Sequence, residues 1–189
     1  MDVPALANLI STSRRKVGHP ITVGISGFGG SGKSTLTRSL TNRVEGSIRM
    51  RGDDFLDPAR SHRRSSDWDG VERQRLASDV LAPFRQRKSS TFQRFDWSAR
   101  ELGPLERVPT GEVMIVDLIG LFHPETTGAL DLRIWCDVDL ETASDRGIAR
   151  DALLGRDHVT LWHDVWVPNE RDFMENYSPR NTADALFTA

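Results

Sequence analysis

The chain has 189 residues, of which 38% are hydrophobic, and its formal net charge is -2. This length predicts one domain, residues 1–189, with a substantial core, and the near-neutral charge gives no reason to expect nucleic acid as a partner. A single cysteine excludes internal disulfides and a cysteine-based zinc site, and no apolar run is long enough for a membrane segment, so we expect a cytoplasmic protein without a membrane partner.

A helix and a strand are predicted at the start of the chain. Apolar residues recur at helical spacing before Gly18, and the β-branched run at Ile21–Ser26 predicts a buried strand. Residues 27–34 then read GFGGSGKS, a complete GxxxxGKS phosphate-binding loop. A chance glycine-rich turn is the alternative, and it fits poorly with a strand before the motif and an amphipathic helix after it.

This loop is the strongest functional signal in the sequence. Glycines let backbone N–H groups turn toward phosphate oxygens, Lys33 reaches the outer phosphates and the Ser34 hydroxyl meets Mg²⁺. The helix that opens at Lys33 adds the positive end of its dipole. The predicted nucleotide-binding residues are Gly27, Phe28, Gly29, Gly30, Ser31, Gly32, Lys33, Ser34 and Thr35.

Carboxylates follow two further predicted strands. Asp53 comes after a short strand at Ser47–Arg51, and Asp117 closes the apolar strand 112–117. In a parallel sheet covered by helices, ligands bind beyond the carboxyl ends of the strands. We therefore assign Asp53 as the general base and predict Ser34, Asp53 and Asp117 as the metal-binding residues. The alternatives are a turn or cap role for Asp53 and a stabilising cap for Asp117.

The middle of the chain predicts a helix over 71–81 that Pro83 stops, followed by a small hairpin or excursion around 91–97. A strand over 130–138 contains Cys136, which we interpret as a buried small hydrophobic residue. Strands that alternate with helices predict a parallel sheet with helices on both faces.

Arginines mark the predicted helix that Asp139 caps. Arg146 and Arg150 are four residues apart and share a face, which favours a lid at about 146–160 whose guanidinium groups hold transition-state charge. A solvated charged helix is the alternative. A helical stretch within 159–177, where Trp162 and Trp166 pack onto the core, and a strand over 183–188 complete the chain.

The phosphate loop alone does not distinguish a kinase from a nucleotide-driven switch. Asp117-Leu-Ile-Gly120 matches the DxxG pattern of GTP-binding switches, but no NKxD-like guanine-reading segment follows it. A kinase-like protein without activity is a third option. Phosphoryl transfer needs charge neutralisation, a base and closing arginines, and the sequence has a candidate for each.

From end to end, the chain resembles the uridine kinase-like family of P-loop nucleoside and small-molecule kinases. The resemblance rests on the phosphate loop, Asp53-Asp-Phe, Trp68-Asp69, Phe95-Asp-Trp97, Val116-Asp117, the lid pattern at 146–151 and the segment 179–184. It implies an α/β three-layer sandwich with a mostly parallel five-stranded sheet, Mg²⁺, and ATP as donor to a small-molecule hydroxyl. The acceptor contacts that it implies are Asp54, Asp69, Phe95 and Arg100.

Departures from the family pattern leave the acceptor open. Asp117 stands where the family has glutamate, and Phe95 lacks the phenolic hydrogen bond that a tyrosine would offer. The sequence therefore predicts phosphorylation of a nucleoside-like acceptor, with a non-nucleoside alcohol such as pantothenate as the alternative. A homo-oligomer is compatible with the sequence.

Overall fold

The computed structural model describes residues 1–99 and 101–188. Its strands form two sheets. They are β1 (Ile21–Ser26), β2 (Ser47–Arg51), β3 (Thr91–Asp96), β4 (Glu101–Arg107), β5 (Val113–Asp117), β6 (Leu132–Cys136) and β7 (Ala185–Phe187). The main sheet has the order β2-β5-β1-β6-β7 and every neighbouring pair is parallel, while β3 and β4 form a separate antiparallel hairpin. The predicted five-stranded sheet and the hairpin are both confirmed.

Helices cover both faces of this sheet. They are α1 (Val3–Lys16), α2 (Lys33–Thr41), α3 (Arg73–Leu76), α4 (Ala82–Arg85), α5 (Pro124–Thr127), α6 (Leu140–Leu153), α7 (Val159–Leu161) and α8 (Val167–Tyr177). Asp139 caps α6, as predicted, because its side chain accepts a hydrogen bond from the Thr142 N–H. Within the described ranges, no helix has the length and apolar character that a membrane crossing requires.

The two cores follow from the two-residue period of the strands. On one face, Ile21, Val23 and Ile25 pack with Leu6 and Ile10 of α1. On the other face, side chains of β5 pack with the helical segment that contains α3 and α4 and with residues of α8; this cluster includes Met114, Val116, Leu76, Leu81 and Phe173. Strand β1 is buried at every position, so the loop that follows it leaves from the centre of the sheet.

The expectation that Pro83 stops its helix was wrong, since α4 extends to Arg85. A π-helical segment, Ala77–Leu81, precedes α4, and the Ala82 N–H bonds to the Ala77 carbonyl five residues earlier. This wider turn places the proline in the first turn of a new α-helical segment, where its missing N–H is not needed. The same arrangement recurs at Trp162–Trp166, which precedes α8 and its Pro168.

Candidate functional site

The phosphate loop connects β1 to α2 and adopts backbone conformations that favour glycine. Gly30 and Gly32 have φ values of +82° and +90°, and Gly27 has +149°. Gly30 also lies directly against the backbone of α6, where an added Cβ would collide with the Ala143 carbonyl oxygen. The loop is thus shaped by its own glycines and held by close contact with α6.

Lys33 opens α2 and its ammonium group turns back onto the loop. Its Nζ donates to the carbonyl oxygens of Gly27, at 2.8 Å, and Phe28, at 2.7 Å. Burial lowers the pKa of Lys33, although the nearby acidic groups, Glu170 first among the charges, oppose that shift. The lysine is therefore a desolvated positive charge at the point where a phosphate chain would lie.

Ser34 and Asp117 meet at the carboxyl ends of β1 and β5. The Ser34 hydroxyl donates to Asp117 Oδ2 at 2.6 Å, and Asp117 is 6% exposed. Arg49 of β2 donates through Nε and Nη2 to Oδ1 of the same carboxylate, at 3.2 and 3.1 Å. Sequence reasoning missed Arg49, whose only signal was its position two residues before the end of a strand beside β5.

Asp53 lies in the short 3-10 helix Gly52–Phe55 that directly follows β2. Its side chain reaches solvent, but protein atoms crowd its carboxylate, and this desolvation raises its pKa. The Asp117 charge raises the pKa further, whereas Lys33 and Arg51 lower it. Asp53, Asp117 and Lys33 are therefore within electrostatic reach of one another.

The oxygen donors at this point suit Mg²⁺. Across residues 1–99 and 101–188, no group of three His, Cys, Asp or Glu residues could hold a metal by itself. Mg²⁺ characteristically takes one or two carboxylates and completes its shell with water and phosphate oxygens. The Ser34 hydroxyl on Asp117, with the Asp53 carboxylate nearby, fits that requirement.

The predicted acceptor residues lie in different environments. Asp54 is 3% exposed and pairs with Arg94 of β3 at 3.1 Å. Phe95 is buried, with its ring edge-on to the Trp97 ring at 5.0 Å, and Trp97 is 44% exposed. Asp69 is exposed. Arg100 lies outside the described residues.

The arginines of the predicted lid are exposed on α6. Arg150 donates to the adjacent Asp151 at 2.9 Å, and Arg146 lies one turn earlier on the same face. Asp151 is 2% exposed and also accepts a hydrogen bond from the Trp162 indole N–H at 3.0 Å. Asp151 thus links α6 to the helical segment that follows the lid.

Glu170 of α8 is the second residue that sequence reasoning missed. It is 5% exposed, and its Oε1 accepts a hydrogen bond from the Gly29 backbone N–H at 2.7 Å. Burial raises the pKa of Glu170 to about 7, against the opposing influence of Lys33. A signal was present, because Trp162, Trp166 and Glu170 are spaced four apart and share one helical face.

No protein-family model matches this chain, and no curated protein sequence matches it either. Solved structures match it over nearly its full length. A possible uridine kinase from Bacillus stearothermophilus is 14% identical, with 97% of this chain and 99% of that chain covered and a TM-score of 0.70. A proposed fructose transport system kinase from a Silicibacter species is 20% identical, with 99% of each chain covered and a TM-score of 0.75.

At these identities the likeness establishes the fold. The α/β P-loop NTPase fold expected from the sequence is confirmed by structural neighbours that share it from end to end. The fold places the phosphate loop, Asp53 and Asp117 at the carboxyl ends of neighbouring strands.

Proposed function

We propose that this chain is an ATP-dependent kinase of the uridine kinase-like family, which transfers the γ-phosphate to a hydroxyl of a nucleoside-like small molecule. The observation that carries the proposal is the joining of Ser34 to Asp117 beside a desolvated Asp53 and Lys33. The names of the structural neighbours, a uridine kinase and a fructose transport system kinase, support phosphotransfer to an alcohol.

In the proposed reaction Asp53 takes the proton of the acceptor hydroxyl. The hydroxyl oxygen then forms a bond to the γ-phosphorus, and the bond from that phosphorus to the β–γ bridging oxygen breaks, so that ADP leaves. A raised pKa suits Asp53 to this role, because a base works best when its pKa lies nearer the working pH. Lys33, Arg146 and Arg150 would stabilise the charge on the transferred group.

Mg²⁺ would be held by Ser34 and Asp117, with Asp53 at its side. It would supply neutralisation of phosphate charge. The two hydrogen bonds from Arg49 hold the Asp117 carboxylate in place beside Ser34.

A nucleotide switch has less support. Gly120, the glycine of the DxxG match, has φ +59°, and an added Cβ would lie 3.2 Å from Trp68 Cβ and 3.4 Å from Arg73 Nη1. Turn geometry and packing thus explain this glycine without a phosphate contact.

The decisive experiment measures ADP or GDP release from Mg²⁺·ATP and Mg²⁺·GTP with a panel of acceptors. The panel contains uridine, cytidine, nicotinamide riboside, pantothenate and fructose. We expect release from ATP that depends on one acceptor class and is lost in Lys33→Ala, because that variant lacks the charge that holds the phosphates. GTP-selective release that no acceptor changes would contradict the kinase proposal and favour the switch.

A further inference from the structure

Helix α8 places a carboxylate on the phosphate loop. Glu170 Oε1 accepts the Gly29 backbone N–H at 2.7 Å, and the side chain is 5% exposed. Backbone N–H groups of this loop are the donors that bind nucleotide phosphates in P-loop proteins. A carboxylate oxygen of the chain itself therefore occupies a donor that a phosphate oxygen would use.

The second oxygen of Glu170 is poorly satisfied. Oε2 is buried and has no hydrogen-bond partner among the residues that the structure describes. The charged group that faces it is Lys33, whose ammonium donates to the Gly27 and Phe28 carbonyls. A buried carboxylate with one free oxygen is costly to maintain, so its position on the loop calls for a functional reason.

Trp162 closes the same side of the loop. An added Cβ at Gly29 would lie 2.7 Å from Trp162 Cη2, and an added Cβ at Gly147 of α6 would collide with the same ring. The indole N–H is fixed by Asp151. Trp162 and Glu170, two turns apart along the helical segment that ends in α8, thus cover one face of the loop together.

We propose that Glu170 is a built-in competitor of the nucleotide, holding the phosphate loop in a closed state that ATP must displace. The inference rests on the proposed function only in requiring that this loop binds a nucleoside triphosphate. Phosphate oxygens and the Glu170 carboxylate compete for the Gly29 N–H and for the Lys33 charge. Because both groups are negatively charged, they also repel each other when they lie close together. Nucleotide binding therefore requires Glu170, and with it α8, to withdraw from the loop.

The test compares nucleotide affinity in three variants by calorimetry with Mg²⁺·ATP at pH 8, where the Glu170 carboxylate is ionised. Glu170→Gln keeps the size of the side chain and removes its charge. Glu170→Ala removes the group that occupies the Gly29 N–H. Glu175→Gln is the matched control, because it makes the same change at an exposed position of α8. If the closed state outnumbers the open one by ten to one, its loss tightens the apparent Kd about tenfold.

We expect Glu170→Ala to bind Mg²⁺·ATP about tenfold more tightly than the wild type, and Glu175→Gln to bind as the wild type does. Glu170→Gln is expected to bind more tightly by a smaller factor, because its amide oxygen still accepts the Gly29 N–H. The alanine variant decides the matter if the glutamine variant does not fold. Equal or weaker binding in the folded Glu170 variants overturns the inference and leaves the kinase proposal standing. Tighter binding without transfer to any acceptor supports the inference and contradicts the kinase proposal.

The rate of binding gives an independent measurement. In the wild type, stopped-flow binding of a fluorescent ATP analogue is expected to reach a plateau at high nucleotide concentration, because opening of the loop limits the rate. In Glu170→Ala the rate is expected to rise in proportion to concentration over the same range. Proportional rates of equal size in both proteins overturn the inference.

Discussion

Asp53 combines two conditions that a general base requires. It follows β2 on a short 3-10 helix, so its position is set by the sheet, and desolvation together with Asp117 raises its pKa. Lys33 opposes that rise, because its positive charge favours the ionised carboxylate. The residue thus has both the place and the proton affinity for the proposed step.

Replacement of Asp53 tests its proposed role as the base directly. We expect Asp53→Asn to lower kcat by about 10²–10⁴, roughly 3–5 kcal/mol in the barrier, because an amide cannot take the proton. The measurement is ADP release with the best acceptor of the panel, alongside calorimetry to show that ATP still binds. Asp79→Asn, in the π-helical segment before α4, is the control. A kcat close to that of the wild type would remove the assignment.

The individual residues differ in how far the sequence could predict them. The phosphate loop could be predicted in full, because its spacing is fixed by contacts within a few residues. The contacts of Arg49 and Glu170 could not be predicted, because their partners Asp117 and Gly29 are 68 and 141 positions away. The helical spacing of Glu170 marks the face on which it lies but not its partner. Such contacts depend on the order of strands in the sheet and on how α8 returns to the loop.

Helix α6 is held to the helical segment after it by a glycine and an indole ring. The Gly147 backbone lies against the ring of Trp162, which is 3% exposed and donates a hydrogen bond to Asp151. We expect Gly147→Ala to destabilise the protein by about 1–3 kcal/mol, because the added methyl group must push the indole aside. Urea unfolding measures the change.

A second glycine provides the control for that change. Gly128 has φ -67°, and an added Cβ there would meet nothing within 4 Å. Gly128→Ala is therefore expected to leave stability unchanged or raise it by about 0.4–1 kcal/mol. Equal effects of the two substitutions would show that the ring does not press on Gly147.

Element boundaries show where local patterns fail. The apolar spacing predicts a helix over 71–81 that Pro83 ends, whereas the helical segment continues through α4 to Arg85. A proline restricts the conformation of its own turn only. The π-helical segment that places Pro83 in a first turn is stabilised by packing of Val80 and Leu81 in the core. Burial of the residues before the proline therefore explains why the helical segment continues past it.

For the whole molecule, the buried carboxylate of Glu170 links stability to pH. Burial on folding raises its pKa from 4.5 to about 7, against the opposing charge of Lys33. Between these values the folded protein holds a proton that the unfolded chain has released, so stability falls as the pH rises from about 5 to 7 and levels off above that range. At 5% exposure, the loss reaches at most about 3 kcal/mol.

Urea unfolding at pH 5 and pH 8 checks this dependence. We expect Glu170→Gln to lose less stability between the two pH values than the wild type does, because the amide has no proton to release. Glu175→Gln should follow the wild type. Identical pH profiles in all three proteins would show that Glu170 does not carry the dependence.

Sequence patterns are most informative about the parallel sheet as a whole. The apolar runs of β1 and β5 predict central strands of a parallel sheet, because both faces of the sheet are covered there and every position of these two strands is buried. The acceptor side is different, since it is built from turns and exposed side chains such as Asp69 and Trp97. Their positions depend on chain segments that apolar periodicity does not describe.

The ion pair between Arg94 and Asp54 joins the hairpin of β3 and β4 to the short 3-10 helix that carries Asp53. Asp54 is nearly inaccessible to water, so separating it from the Arg94 guanidinium group would leave an unpaired charge in the protein interior. We therefore expect the hairpin and the 3-10 helix to move together. A ligand that displaced the hairpin would also shift the neighbouring Asp53, so contacts made at the hairpin would change the position of the proposed base.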